Sequence, residues 1–483
     1  MEQTRKTLVV VGGGISGLSA AYYAKTFLKE AGVSADIAIV EKSAAFGGKV
    51  QTLCRDGFVI EKGPDSFLAR KRPIIDLAHE LGLDHELTGT NPQAKANYIV
   101  HRGRLQPMPP GLMLGIPTEI GPFVKTGLIS FPGKLRAALD LVIPRRTDPS
   151  DESLGSFLER RLGREVLEQI AEPLLAGIYA GDVRALSLEA TFPQFRAVEQ
   201  KYRSVILGMI ASRKSAAKTQ QTPAASGPST FLTFRKGLSF LIEALDRELK
   251  DAKRIRGKVD ALRQHERGGY LLLMDDGLQL NADAVILAVP AYAAAELLPA
   301  FPEAEWLNRI DYVSVANVVL AFDRRDVPHP LNGSGFLVPR REGRAITACT
   351  WTSSKWLHTA PEGKALLRCY VGRSGEEEWI GWSDSHLVRK VRAELLDLLG
   401  IAAEPLFTEV TRLIRSMPQY PVGHLGRIRA LRERLAAEMP GVYVTGSAYE
   451  GVGLPDCVRQ GKDAARLAVG FLAADASGTE KKM

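Results

Sequence analysis

The sequence predicts an α/β fold whose parallel sheet is assembled from separated stretches of chain, with a mainly helical insertion and a second sheet-forming region between them. Three observations carry that expectation. Residues 7–27, TLVVVGGGISGLSAAYYAKTF, read as a continuous apolar strand, a glycine turn and a helix whose apolar positions Ile15, Leu18, Ala21 and Tyr22 recur at helical spacing. ADIAIVEK, residues 35–42, supplies the next strand and completes a βαβ unit. Far downstream, ADAVILAVP (282–290) and GVYVTGSAYEGVG (441–453) restore strand patterns, the second closing through a glycine turn onto a helix.

Between these elements the pattern changes twice. After the Pro-rich RGRLQPMPPGLMLGIPTEIGP (102–122), helical periodicity runs through SLGSFLERRLGREVLEQIAEPLLAGIYAG, so residues 86–211 read as a mainly helical lobe. Residues 212–230 are rich in Ala, Ser, Thr and Pro without apolar periodicity, which predicts a mobile surface loop. Strands return over 231–296 and 297–412, together with a helix at 384–399 carrying Leu387, Val391, Leu395 and Leu398 on one face. Residues 413–475 close the structure, and 476–483 read as a flexible tail.

Composition narrows the function classes. A chain of 483 residues, 45% hydrophobic and 24% charged, is globular and long enough for two or three compact units. Cys54, Cys349, Cys369 and Cys457 show no CxxC pairing and no histidine at ligand spacing, which points to a reducing, cytoplasmic setting and to no metal. The N-terminal apolar run is cut by Gly12–Gly14 far short of a signal or membrane-spanning length. Sixty-three Lys plus Arg against fifty-five Asp plus Glu give a net charge of +8, which favours anionic partners. The basic residues are dispersed and form no nucleic-acid module, so nucleic acid is not an expected partner.

Gly12, Gly14 and Gly17 fit GxGxxG between a strand and a helix: the first permits the tight turn, the second lets a pyrophosphate approach, and the third lets helix and strand pack closely. Glu41 ends the second strand where an acid would accept hydrogen bonds from an adenosine ribose. A packing role alone would not require that acid. NAD fits the fingerprint as well as FAD does, but a long flavin lying across the fold needs a second anchor at its ring end. The turn and helix start at Val452–Asp456 offer one, with N–H groups and a partial positive charge beside the flavin N1 and C2 carbonyl.

VVVGGGISGLSAAYYA, EKGPDSFLARK, EPLLAGIYAGD and GSAYEGVGLPDCVRQGK together resemble the porphyrinogen oxidases of haem synthesis, most of all the soluble Gram-positive type that acts on coproporphyrinogen III. The resemblance runs essentially end to end. It implies a fold similar to monoamine oxidase: an FAD domain made of residues 1–85, 231–296 and 413–475, a substrate domain at 297–412, and a membrane and substrate lobe at 86–211. It also implies that Gly12, Gly13, Gly14, Ile15, Ser16 and Gly17 hold the diphosphate and Glu41 with Lys42 the adenosine ribose. Gly48, Lys49, Gly63, Pro64, Asp65 and Ser66 would lie along the diphosphate and ribityl chain. Val259 would meet the adenine, and Gly446, Val452, Gly453 and Leu454 the ring. Two positions depart from the pattern: Ala45 and Lys49 stand where the wider superfamily has the arginines of RxGGR, and Leu413 stands where related sequences have tryptophan.

The implied reaction removes hydride from a carbon bridging two pyrroles, with oxygen reduced to hydrogen peroxide. The flavin carries that step, so no protein nucleophile is expected, and His101, His358 and His424 read as surface or core residues. Lys71 and Arg70, directly after the GPDSF loop, are the candidate cations for substrate propionates, with a solvated basic turn as the competing reading. Ile178, Tyr179 and Tyr370 are candidate cavity walls and read equally well as core. The expected partners are a porphyrinogen, a membrane surface met peripherally, and the next haem-pathway enzyme for hand-over. Protoporphyrinogen IX oxidation, another amine oxidase or desaturase of the same fold, and a flavin-free binding protein remain alternatives.

Overall fold

In the computed structural model, which describes residues 5–219, 229–266, 268–299 and 301–480, Lys6–Val11 is the central strand of a five-stranded sheet. The order is Lys253–Arg256, Ala35–Glu41, Lys6–Val11, Ala284–Leu287, Val442–Val444, and every pair is parallel. Both faces are covered, which is why these strands read as unbroken apolar runs rather than alternating ones. Leu8, Val10, Ile39 and Ile286 face the fingerprint helix Ile15–Ala31 and the closing helix Leu454–Glu480, whereas Val9, Val11, Val285 and Leu287 face a second core with Leu431 and Tyr449. The two helices pack closely because Gly461 carries no Cβ, which would overlap the Ser16 carbonyl. Leu18 and Leu472 are fully buried, each contributing about 1.5–3 kcal/mol of transfer free energy.

The second sheet has seven strands in the order Phe407–Pro418, Tyr312–Asp323, Lys364–Val371, Ile346–Trp351, Gly333–Leu337, Ala96–His101, Arg104–Pro107. All pairs are antiparallel except Gly333–Leu337 with Ala96–His101. Its back packs on helix Asp384–Leu399 through Leu387, Val391 and Leu395, the face the sequence periodicity marked. Its front reaches the loop after Glu61: Asn317 Nδ2 donates to the Lys62 carbonyl at 2.8 Å, and Arg368 donates to the Gly63 carbonyl. The helical lobe has its own core around Phe157, Leu167, Ile170 and Phe195.

Sheet membership moves three expected boundaries. Residues 413–418 do not open the last cofactor segment; they finish the edge strand Phe407–Pro418, because they still pair with Tyr312–Val315. Ala96–His101 and Arg104–Pro107, expected within the lobe, join the large sheet, and Leu87–Gly89 pairs with Phe231–Phe234. Residues 212–219 are not loop, because helix Val205–Thr219 continues through them. The Arg, Lys and Ala of that stretch are good helix formers, and its polarity reflects a helix that leaves the lobe core rather than missing structure. The remainder of the expected loop, 220–228, lies outside the described residues. The closing helix likewise extends to Glu480, into the expected tail, of which 481–483 lie outside the described residues.

One surface of the lobe is unusually apolar. Phe131, Leu135, Leu139 and Val142 form a stripe beside Ile120 and Val124, with Phe131 at 73% and Val142 at 65% exposure. No helix among the described residues is long and apolar enough to cross a membrane.

Candidate active site

The first glycine turn has the geometry the fingerprint requires. Gly12 takes φ +109°, a region closed to other residues, and a Cβ there would overlap the Ala288 carbonyl. A Cβ on Gly17 would overlap the Gly12 carbonyl, so this glycine sets the approach of helix to strand. A Cβ on Gly14 would meet nothing within 4 Å. The space in front of Gly14 is therefore open, and no side chain caps the helix that starts at Ile15. Ile15 and Ser16 are themselves buried, so an uncapped, inward helix start faces that space. These residues fit a diphosphate.

Around this turn the predicted cofactor residues converge. The Glu41 carboxylate accepts hydrogen bonds from Gly13 N–H at 2.7 Å and Ser43 N–H at 2.8 Å, which fixes it at the strand end. The Gly257 N–H donates to the Glu41 carbonyl at 3.0 Å, bringing the chain before Val259 alongside. Gly47 bridges to Gly14, and a Cβ on Gly48 would stand 3.4 Å from the Gly14 Cα, so the AFGGK turn lies against the fingerprint. Gly63 is pressed against the Lys49 carbonyl. Gly446, at φ +130°, comes near Ser16 Oγ, joining the C-terminal turn to the N-terminal one. Lys42 is exposed just beyond the strand.

Charge is concentrated where the ring end would lie. Lys71 Nζ pairs with Asp456 Oδ2 at 2.5 Å, in the first turn of the closing helix, across 385 positions of sequence. Val452, Gly453 and Leu454 lead directly into that turn. Lys49 Nζ donates to the Ser416 carbonyl, and burial lowers its pKa below the usual lysine value. Asp65 is paired with Lys355 at 3.6 Å. Burial alone would raise its pKa, but the Lys355 ammonium and the Arg368 guanidinium outweigh this and hold it at about 2. Glu61, accepting from Leu238 N–H and Thr52 Oγ1, is pushed by burial to about 7. A small, mostly apolar cavity lies beside Glu61 and Asp65, lined by Val59, Ile60, Val319 and Leu366 with Arg368 and His358.

The candidate substrate residues separate. Lys71 belongs to the ring-end cluster, Arg70 is exposed, and Arg72 pairs instead with Asp76 at 2.6 Å. Tyr370 is half-buried on the front of the large sheet, with Arg368 5.0 Å from its ring centroid, and burial raises its pKa to about 12. Ile178 is exposed at the lobe surface, whereas Tyr179 is packed among Phe192 and Tyr420 as lobe core. His424 is fully buried and stacked on Tyr420 at 4.3 Å, with Nε2 against the Tyr449 carbonyl. Among the described residues no group of three or more His, Cys, Asp or Glu could hold a metal ion.

Sequence reasoning missed this Tyr420–His424 pair. The Tyr420 hydroxyl accepts from Gly451 N–H at 3.1 Å and donates to the Ser447 carbonyl, pinning the C-terminal glycine turn. Arg368 and Lys355, which hold the GPDSF loop from below, were missed too. A charged residue in an otherwise buried strand, as in ALLRCYVG, is the signal that would have marked Arg368.

The family model for flavin-containing amine oxidoreductases matches residues 15–469. The chain belongs to that family. A flavin is therefore its cofactor, in keeping with the two glycine turns and the space between them. The protein is 46% identical to the coproporphyrinogen III oxidase of Bacillus subtilis over 98% of this chain and 100% of the relative. It is 40% identical to that of Staphylococcus aureus over 97% and 100%. A solved structure from Exiguobacterium sp. 255-15 superposes with a TM-score of 0.85 at 38% identity, covering 95% of this flavin oxidoreductase and 98% of its own chain. Cyclohexylamine oxidase from Brevibacterium oxydans, at 17% identity and a TM-score of 0.68, shows the shared fold.

Proposed function

We propose that this protein is an FAD-dependent oxidase that converts coproporphyrinogen III to coproporphyrin III in haem synthesis. The observation that carries the reading is the full-length 46% identity to a coproporphyrinogen III oxidase, joined to a cofactor cradle built at both ends. Bound FAD supplies the hydride acceptor and passes the electrons to oxygen, giving hydrogen peroxide. The chain holds the diphosphate at Gly12–Gly17, places the ring against the start of the closing helix, and keeps the macrocycle between the large sheet and the lobe. Tyr370, on the front of the large sheet, and Ile178, on the lobe surface, would be its wall contacts. Arg70 and Lys71, which follow the GPDSF loop in sequence, remain the candidate cations for propionates, with Lys71 paired to Asp456.

Coproporphyrinogen III carries four propionates and protoporphyrinogen IX two, and a desolvated carboxylate without a partner is costly. Assayed side by side by fluorescence after anaerobic preparation of both porphyrinogens, the protein is expected to show a kcat/KM at least about tenfold higher for the tetracarboxylate, or about 1.4 kcal/mol. A preference for the dicarboxylate would overturn the substrate and leave the oxidase. Purified protein that is colourless and cannot be reconstituted with FAD would remove every enzyme reading.

The apolar stripe supports a cytoplasmic protein that docks on a membrane surface and passes product to the next enzyme there. Phe131, Leu135, Leu139 and Val142 are exposed with Lys125 and Arg145 nearby, the mix that favours an anionic lipid interface. Replacing Phe131 and Leu135 with serine is expected to cut sedimentation with anionic vesicles about tenfold without changing turnover of a soluble porphyrinogen. Unchanged sedimentation would count against the stripe as the docking face.

A further inference from the structure

The edge of the large sheet nearest the cofactor region carries an irregularity that the oxidase reading does not use. Between the pairs Val313–Met417 and Val315–Leu413 the partner strand is slipped, so residues 414–416 bulge opposite Ser314 alone. Arg415 sits in the bulge at φ +44°, in the left-handed region, with its N–H donating to Ser314 Oγ at 3.1 Å. Its guanidinium lies over the Tyr292 ring, 4.1 Å from the centroid. Tyr292 opens the helix after strand Ala284–Leu287, and the Ala288 carbonyl of the same connection backs Gly12. Arg415 is thus packed on the connection that backs the first glycine turn, and the residue is exposed.

Its charge has no internal partner. Arg412, three residues earlier, pairs with Asp384 at 2.8 Å, whereas no carboxylate lies within ion-pair distance of Arg415 among the described residues. The next residue, Ser416, accepts the Lys49 ammonium at its carbonyl, and Lys49 also lacks a carboxylate there. The Ser416 hydroxyl is buried with no hydrogen-bond partner, although its residue is only 3% exposed. Lys49 and Arg415 are both accessible and neither is neutralised by a carboxylate beside Ser416, which leaves positive charge there for an anion to compensate. A strained arginine beside an unsatisfied buried hydroxyl has the composition of a ligand contact rather than of a sheet edge.

We propose that Arg415 is an anion-binding residue of the cleft between the two sheets, closing with Lys49 and Ser416 on an oxyanion of the bound ligand. The anion is either a phosphate of the dinucleotide or a carboxylate of the tetrapyrrole, and the assignment rests on the oxidase reading above. Glycine is at ease at this φ, so Arg415→Gly removes the charge without straining the backbone, and Arg415→Lys keeps a charge but loses the planar fork.

The experiment strips the flavin from the purified protein and re-titrates it with FAD and with riboflavin, then measures KM for coproporphyrinogen III at saturating FAD. A phosphate contact raises the FAD Kd at least tenfold in Arg415→Gly, leaves riboflavin unchanged, and is partly restored in Arg415→Lys. A carboxylate contact leaves both flavin affinities alone and raises KM at least fivefold with kcat preserved. Parent-like values for both FAD Kd and KM in Arg415→Gly, with Tm retained, overturn the assignment. A parent protein that takes up FAD but forms no porphyrin defeats the substrate reading instead, and the FAD arm still decides Arg415.

Discussion

Gly14→Val is expected to yield a folded, colourless protein. The position faces open space, where an added Cβ meets no protein atom within 4 Å, and its backbone at φ −76° is extended and accessible to any residue. What it does occupy is the approach of the pyrophosphate to the uncapped helix start. FAD affinity should fall by more than about 100-fold, or about 2.8 kcal/mol, with thermal stability of the flavin-free protein unchanged. Gly17→Ala makes the opposite comparison: its Cβ would overlap the Gly12 carbonyl, so this variant should lose the fold itself. Flavin absorbance and a melting curve on both variants separate the cases. Normal flavin content in a folded Gly14→Val protein would show that the dinucleotide does not cross this turn.

Asp140→Ala is expected to cost about 3–5 kcal/mol of lobe stability, because it leaves the buried Arg161 with only the longer pair to Glu199 at 3.5 Å. Arg161 and Asp140 are both fully buried and paired at 2.5 Å. Asp140 also accepts from Ser204 Oγ and from the N–H groups of Val205 and Ile206, capping helix Val205–Thr219. Arg161 in turn binds the carbonyls of Ile143, Pro144 and Arg203. The pair therefore fastens the segment bearing Phe131–Val142 to the lobe. Hydrogen exchange should show residues 131–142 and 205–219 losing protection first, and Asp140→Leu with Arg161→Met should recover much of the loss. Unaltered exchange in Asp140→Ala would mean that the packing around Phe157 and Leu167 alone secures the segment.

The cofactor half of the molecule was legible because its signals are local. GxGxxG and Glu41 lie within one βαβ unit, and parallel strands buried on both faces leave runs such as LVVV and AVIL that need no partner to be recognised. The contacts that finish the site are not local. Lys71 meets Asp456 from the opposite end of the chain, and Arg368 reaches the Gly63 carbonyl across 305 positions, so no spacing rule could pair them. Tyr179 shows the same limit from the other side. Its motif suggested a cavity wall, but only the packing of Phe192 and Tyr420 against it decides that it is core. The end of helix Val205–Thr219 reads as loop in the sequence because its last two turns carry no apolar stripe, although their Arg, Lys and Ala residues favour helix.

The strand order of the parallel sheet bears on how the protein is made. Lys6–Val11 and Ala35–Glu41 leave the ribosome before the other strands of their sheet, which acquires Ala284–Leu287 much later and Val442–Val444 later still. Until then Ala284–Leu287, apolar at every position, has an unpaired edge, and the helical core of Leu454–Glu480 is missing from one face. At about 5–20 residues per second, the interval between strands Ala284–Leu287 and Val442–Val444 lasts from several seconds to half a minute. The ring-end turn does not exist during that time, so a flavin gripped at both ends can be held only once that turn has been made.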